Sequence, residues 1–103
     1  MPLHTLVAAP FVPLTVIWPR QARAEYVAVL AAKKEALGPR HPSTLFTQHN
    51  LAWLLGDELG EVGEACALMR EVVAARAAVL GADHEHTRGS ARALAGWEAK
   101  LKG

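Results

Sequence analysis

The sequence predicts an all-α fold, about four helices stacked as antiparallel pairs behind an extended N-terminal segment, and three observations carry that prediction. The chain repeats itself: residues 29–44 return as residues 72–87, 43 positions further on, with Leu37-Gly38 matched by Leu80-Gly81 and His41 by His84. Self-similarity at a fixed period of this size marks stacked supersecondary units. Within the units, Ala65, Leu68, Met69, Val72, Val73, Val79 and Leu80 keep the i, i+3, i+4 rhythm of one buried helical stripe, with Arg70, Glu71 and Arg76 on the opposite face. Gly38, Pro42, Gly60 and Gly81 punctuate the chain at the ends of these stretches.

The first eighteen residues stand outside the scheme. At the repeat offset they take the place of a helix, but Pro10 and Pro13 would fall in its interior, at about 3 kcal/mol each. Leu14-Thr15-Val16-Ile17-Trp18 is apolar and rich in β-branching, so residues 1–18 are expected to be extended and packed on a hydrophobic surface of this chain or a neighbour.

Residues 19–103 form the helical domain. Its first helix covers residues 20–37 and closes at Gly38, which takes a left-handed C′ conformation without a Cβ penalty. The second opens at Pro42, whose missing N–H costs nothing in a first turn, and runs through Leu45, Leu51, Ala52 and Leu55 to residue 57. Gly56, Gly60 and Gly63 predict the most flexible connection of the chain over residues 56–63. The third helix covers 63–80 and ends at Gly81; the fourth covers 86–101.

At 103 residues, 51% hydrophobic and 20% charged, the chain is one folded domain rather than a disordered segment. Eleven Lys and Arg against ten Asp and Glu leave a net charge of +1, so no global field draws it to nucleic acid or to an anionic membrane, and neither is expected as a partner. The single cysteine, Cys66, supplies neither an internal disulfide nor a zinc-binding cysteine cluster, which fits a reducing, cytoplasmic setting. Beside the packing residue Ala65, it reads as a buried, inert thiol. The longest apolar stretch, residues 6–18, falls short of the roughly 20 residues of a membrane span. Ala22-Arg23-Ala24 has the small-x-small form of a signal-peptidase site. No Lys or Arg precedes Arg20, however, and Pro10 and Pro13 interrupt the apolar run, so a secretory leader is not expected.

A helix, then Leu37-Gly38-Pro39-Arg40-His41-Pro42-Ser43-Thr44-Leu45, a helix carrying Asn50-Leu51-Ala52, a glycine turn and a helix with Glu64-Ala65 together resemble the tetratricopeptide repeat. The likeness is closest to the longer variant found in kinesin light chains and many bacterial repeat proteins, and it covers residues 20–103. It implies an α-solenoid fragment: one complete repeat, residues 42–80, between the second helix of one repeat and the first helix of another. Leu51, Ala52 and Leu55 then match the packing positions of the repeat's first helix, Gly60 its turn, and Ala65 the small position where the two helices touch. Glu58 is an extra residue before the turn, Gly63 replaces a helix former, and the last repeat has Arg88-Gly89-Ser90 in place of Leu45-Phe46-Thr47. Such a polar outer face suits a capping repeat. About three repeats are generally needed for stability, so the other stack end must be covered by residues 1–18, a second copy or a partner.

The resemblance further implies a non-enzymatic module that holds a protein partner's peptide or helix in a groove lined by the first helix of each repeat. Phe46, His49, Asn50 and Trp53 in one helix, and Arg92 and Gly96 in the next, match that groove. Asn50 matches the asparagine that clamps a bound peptide's backbone or terminal carboxylate, while an equally good reading has its amide bond a neighbouring helix. Its counterpart Ala93 cannot complete a two-residue clamp. Trp53 is the candidate anchor and Trp97 is expected to pack the last helix. The alternative is self-assembly into a homo-oligomer through residues 1–18 or the bare stack end. His41, His84 and His86 with Asp83 offer metal-ligand chemistry, but His41 and His84 occupy equivalent loop positions, which favours capping, so no metal site is expected. With no nucleophile–base order on a strand-turn-helix frame and no glycine-rich phosphate loop, neither an enzyme nor a cofactor is expected.

Overall fold

The computed structural model describes residues 14–103, with side chains from Trp18 onward. Four helices follow one another: α1 (Leu14–Leu37), α2 (Pro42–Trp53), prolonged by a π-helical turn (Leu54–Glu58), α3 (Val62–Leu80) and α4 (Glu85–Lys102). Each packs chiefly on the helix before it and the helix after it. The all-α expectation holds for the described residues.

The start of α1 corrects one expectation. Residues 14–18 are helical rather than extended, and the rest of the N-terminal segment, 1–13, lies outside the described residues. Pro19, the proline inside α1, stands in its second turn and removes one backbone donor. Good helix formers follow in Arg20, Gln21, Ala22, Arg23, Ala24 and Glu25. Propagation from them gains a bond for each residue fixed, which outweighs the small cost of β-branching upstream.

The two inter-repeat loops are copies of each other. His41 precedes α2 in an extended conformation, and its Nδ1 accepts the backbone N–H of Ser43 at 3.1 Å. His84 does the same before α4, accepting from His86 N–H at 3.0 Å. Each imidazole thus satisfies an amide that the first turn leaves without an intrahelical partner, the capping role that the repeat position suggested. Gly38 and Gly81 end the preceding helices at φ +95° and +99°. Gly81 combines that φ with ψ 150°, a region open essentially to glycine alone, rather than the left-handed helical conformation expected.

The core lies where α2 crosses α3. Ala52 and Ala65 have no exposed surface, which lets the two backbones approach and brings Leu51 and Leu55 against Cys66, Met69 and Val72. α1 contributes Leu30 and α4 contributes Trp97. Val79 and Leu80, expected in the buried stripe, are exposed at the C-terminal end of α3.

The extra residue before the turn is absorbed as the π-helical turn, in which Leu59 N–H donates to Leu54 O over five residues at 3.0 Å. Widening the helix there buries Gly56 against the indole of Trp97, whose Nε1 donates to Asp57 Oδ1 at 2.8 Å. Gly56 is therefore packed, and Gly63 is helical. The connection shrinks from the expected 56–63 to residues 59–61, with Gly60 at φ +72°.

A Cβ on Gly56 would come to 2.5 Å from the Trp97 ring. Gly56→Ala is therefore expected to destabilise the fold by about 1–3 kcal/mol through overpacking, against the roughly 0.5–1 kcal/mol that alanine gains over glycine in an open helix. Urea unfolding reads the sign: a raised midpoint would mean that the indole does not rest on this Cα.

Candidate functional site

Each second helix of a repeat is tied to the first helix of the next by one cation. Lys33 Nζ on α1 donates to Thr47 Oγ1 at 2.9 Å and to Ser43 O at 3.5 Å. One repeat later, Arg76 Nη1 on α3 donates to Ser90 Oγ at 2.8 Å and to His86 O at 3.2 Å. All three positions are shifted by the repeat offset. Periodicity placed Arg76 on the solvent face, but the structure buries it to 7% exposure. Its alignment with Lys33 was the available signal that it faces α4. One contact of the pair is not repeated: Thr44 Oγ1 donates to Lys33 O at 3.4 Å, whereas its counterpart Thr87 Oγ1 is buried without a partner.

The repeat also explains where a groove opens. On α3, Ala65, Met69 and Val72 are fully buried, because α2 covers that face and α4 packs beside it. Their counterparts on α1 are Ala22, Tyr26 and Val29, which are half-buried or exposed and line a cavity of about 490 Å³ between α1 and α2. A second cavity of about 340 Å³ adjoins it, sharing Trp18, Tyr26 and Asn50 with the first. Together they form one continuous groove with an apolar wall on each side.

Four of the sequence-derived site residues, Phe46, His49, Asn50 and Trp53, line it. Phe46, Asn50 and Trp53 lie at i, i+4 and i+7 on α2 and face the groove. Phe46 and Trp53 are exposed at 58% and 46%. The Asn50 amide is half-buried and has no hydrogen-bond partner among the described residues, so its donors and acceptor remain available. Trp97, as expected, is buried in the core. Arg92 does not join the groove; it is exposed on α4 and lines neither cavity. The opposite wall is formed by Trp18, Tyr26 and Val29 on α1, and at the repeat offset Tyr26 corresponds to the buried Met69.

His49 borders the groove but is committed inward. Its Nδ1 lies 2.9 Å from Ser90 Oγ, the hydroxyl that also accepts from Arg76. With Arg76 donating, the Ser90 proton is free to reach a neutral imidazole nitrogen. An imidazolium would instead compete with Arg76 for the same oxygen. Burial, then the charges of Arg76 and His86, hold the His49 pKa below the ordinary imidazole value.

His84 and His86 pack edge to face with ring centroids 5.0 Å apart, and His84 Nδ1 is occupied by its cap. Among the described residues, no group of three His, Cys, Asp or Glu is arranged to hold a metal ion. No helix among them is long and apolar enough to cross a membrane.

The depressed pKa of His49 fixes a sign. The unfolded chain takes up this proton at higher pH than the folded one. The stability contribution is therefore complete above about pH 6.5, the unfolded value, and is lost as pH falls through it toward the folded value. His49→Gln is expected to lose less thermal stability than wild type between pH 7.5 and 5. Parallel losses in the two proteins would remove His49 from the account.

Compared with known proteins, residues 44–86 match the family model described as Tetratricopeptide repeat. No curated protein and no solved structure matches the chain.

Proposed function

We propose that this chain, whose residues 44–86 match the family model described as Tetratricopeptide repeat, is a protein-interaction module that binds an amphipathic helix or peptide of a protein partner in the groove between α1 and α2. One observation carries the reading. The groove's α1 wall is the repeat counterpart of the α3 surface on which α2 sits, so it has the shape and apolar character of a helix seat.

Trp18, Phe46 and Trp53 supply large aromatic surface, the residue class that dominates binding at interface centres. Asn50 supplies both a donor and an acceptor in the middle of the apolar walls, where a bound backbone or terminal carboxylate would find them. Glu25 and Lys33 line the same groove with opposite charges, which would orient a partner's polar rim. The reading needs no cofactor, metal or nucleic acid, and it is compatible with a cytoplasmic setting.

A second reading rests on the cluster of exposed Trp18, Val29, Phe46 and Trp53. In that version, a second copy of the chain covers the same face and the module self-assembles.

Selection of a displayed random-peptide library against the full chain, followed by affinity measurement on the enriched peptides, tests the first reading. Asn50→Ala and Trp53→Ala are each expected to weaken binding by about tenfold or more, with the thermal midpoint retained. Unchanged affinity in both variants counts against the groove. Light scattering addresses the second reading: a concentration-dependent dimer that Trp18→Ser converts to monomer would put self-assembly first.

A further inference from the structure

On the far side of Phe46 from the groove, a separate cleft of about 300 Å³ opens between the start of α2, the end of α3 and the start of α4. Its walls are Leu45, Phe46, Val79 and Leu80, with Arg40, Arg76 and His86 among them, and no carboxylate lines it. Arg76 is the unusual member. Charged side chains are almost never buried unless they are paired. Yet among the described residues Arg76, 7% exposed as a whole residue, has no acidic partner.

The internal repeat separates its structural duty from what is left over. At the equivalent position Lys33 ties α1 to α2 with a single ammonium. Arg76 makes the same two contacts through Nη1 alone. Nε and Nη2 have no hydrogen-bond partner among the described residues. These two nitrogens form one edge of the guanidinium fork, the edge that meets a carboxylate with two parallel hydrogen bonds. The two parallel donors of that edge match the two oxygens of a carboxylate, and Leu45, Phe46, Val79 and Leu80 suit an apolar body beside it, while Arg40 and His86 keep the cleft's charged lining cationic.

We propose that this cleft binds a carboxylate carried on a short apolar body, with the carboxylate on the Nε–Nη2 edge of Arg76 and the apolar part between Leu45, Phe46, Val79 and Leu80. The shared chemistry belongs both to the last residue of a peptide ending in an apolar side chain and to a free aliphatic acid. The site lies apart from Asn50 and Trp53, so it stands or falls independently of the groove.

The test uses the full chain and three probes, N-acetyl-leucine, hexanoate and N-acetyl-leucinamide, followed by amide chemical shifts. Both acids are expected to shift Ser43, Val79 and His86, and the amide is expected to bind at least about tenfold more weakly. The tighter of the two acids assigns the source. Arg76→Lys keeps the tie that Lys33 makes in the preceding repeat and removes the free edge, so it is expected to retain the fold and lose acid binding. Val79→Glu, at an exposed position, places a competing carboxylate in the cleft and is expected to lose binding by a route that leaves Arg76 intact. Trp53→Ala is expected to leave binding unchanged. The proposal is overturned if neither acid shifts these amides, if the leucinamide binds as tightly as N-acetyl-leucine, or if Arg76→Lys and Val79→Glu both bind as wild type does.

Discussion

A helix in this chain buries its apolar stripe chiefly against the helices adjacent to it in sequence, and much of the structure follows from that constraint. α3 has neighbours on both sides, so Ala65, Met69 and Val72 lose all contact with solvent. α1 has α2 on one side, and its corresponding Ala22, Tyr26 and Val29 stay partly or fully open. The hydrophobic term is proportional to area removed from water and has no direction. The same residue pattern therefore yields a core in one repeat and a binding surface in the other. The groove is an interior that lacks its last layer.

Holding the layers in register falls to polar contacts. Lys33 and Arg76 reach across to the next helix at equivalent points, and each ends on a hydroxyl and a backbone carbonyl. Burying such a cation is costly unless its donors are satisfied. Lysine can be satisfied by two acceptors at a partly open site, while the larger guanidinium retains an unused edge. This difference makes two loops of nearly identical backbone chemically unequal. It also couples His49 to the stack, because the hydroxyl of Ser90 serves both His49 and Arg76.

Much of the fold was legible in the residues. Histidine caps, glycine ends and the positions of α2, α3 and α4 are set by near neighbours along the chain, where backbone preference and capping act. The face shared by Phe46, Asn50 and Trp53 followed from the resemblance to the repeat family, and the structure opens that face onto the groove. Other features were visible only as counts. Glu58 could be recognised as one residue too many, but the sequence did not tell whether it would lengthen a loop or widen a helix. The indole of Trp97 on Gly56 favours the widened turn. Arg76 was misplaced because periodicity assigns a charged residue to water, and the pull of Ser90 and the His86 carbonyl comes from another helix. His49 and Arg92 matched the groove by position, yet one bonds inward to α4 and the other stands apart from both cavities.

By itself the sequence determined the class of fold, the repeat and its period, and the caps, since these rest on local backbone energetics and on patterns read along the chain. Only the tertiary structure decided which apolar faces would be left uncovered, where the extra residue would go, and which cation would be buried. Those outcomes depend on the sum of burial and hydrogen bonding over helices that are distant in the chain but adjacent in space. No single segment carries that information.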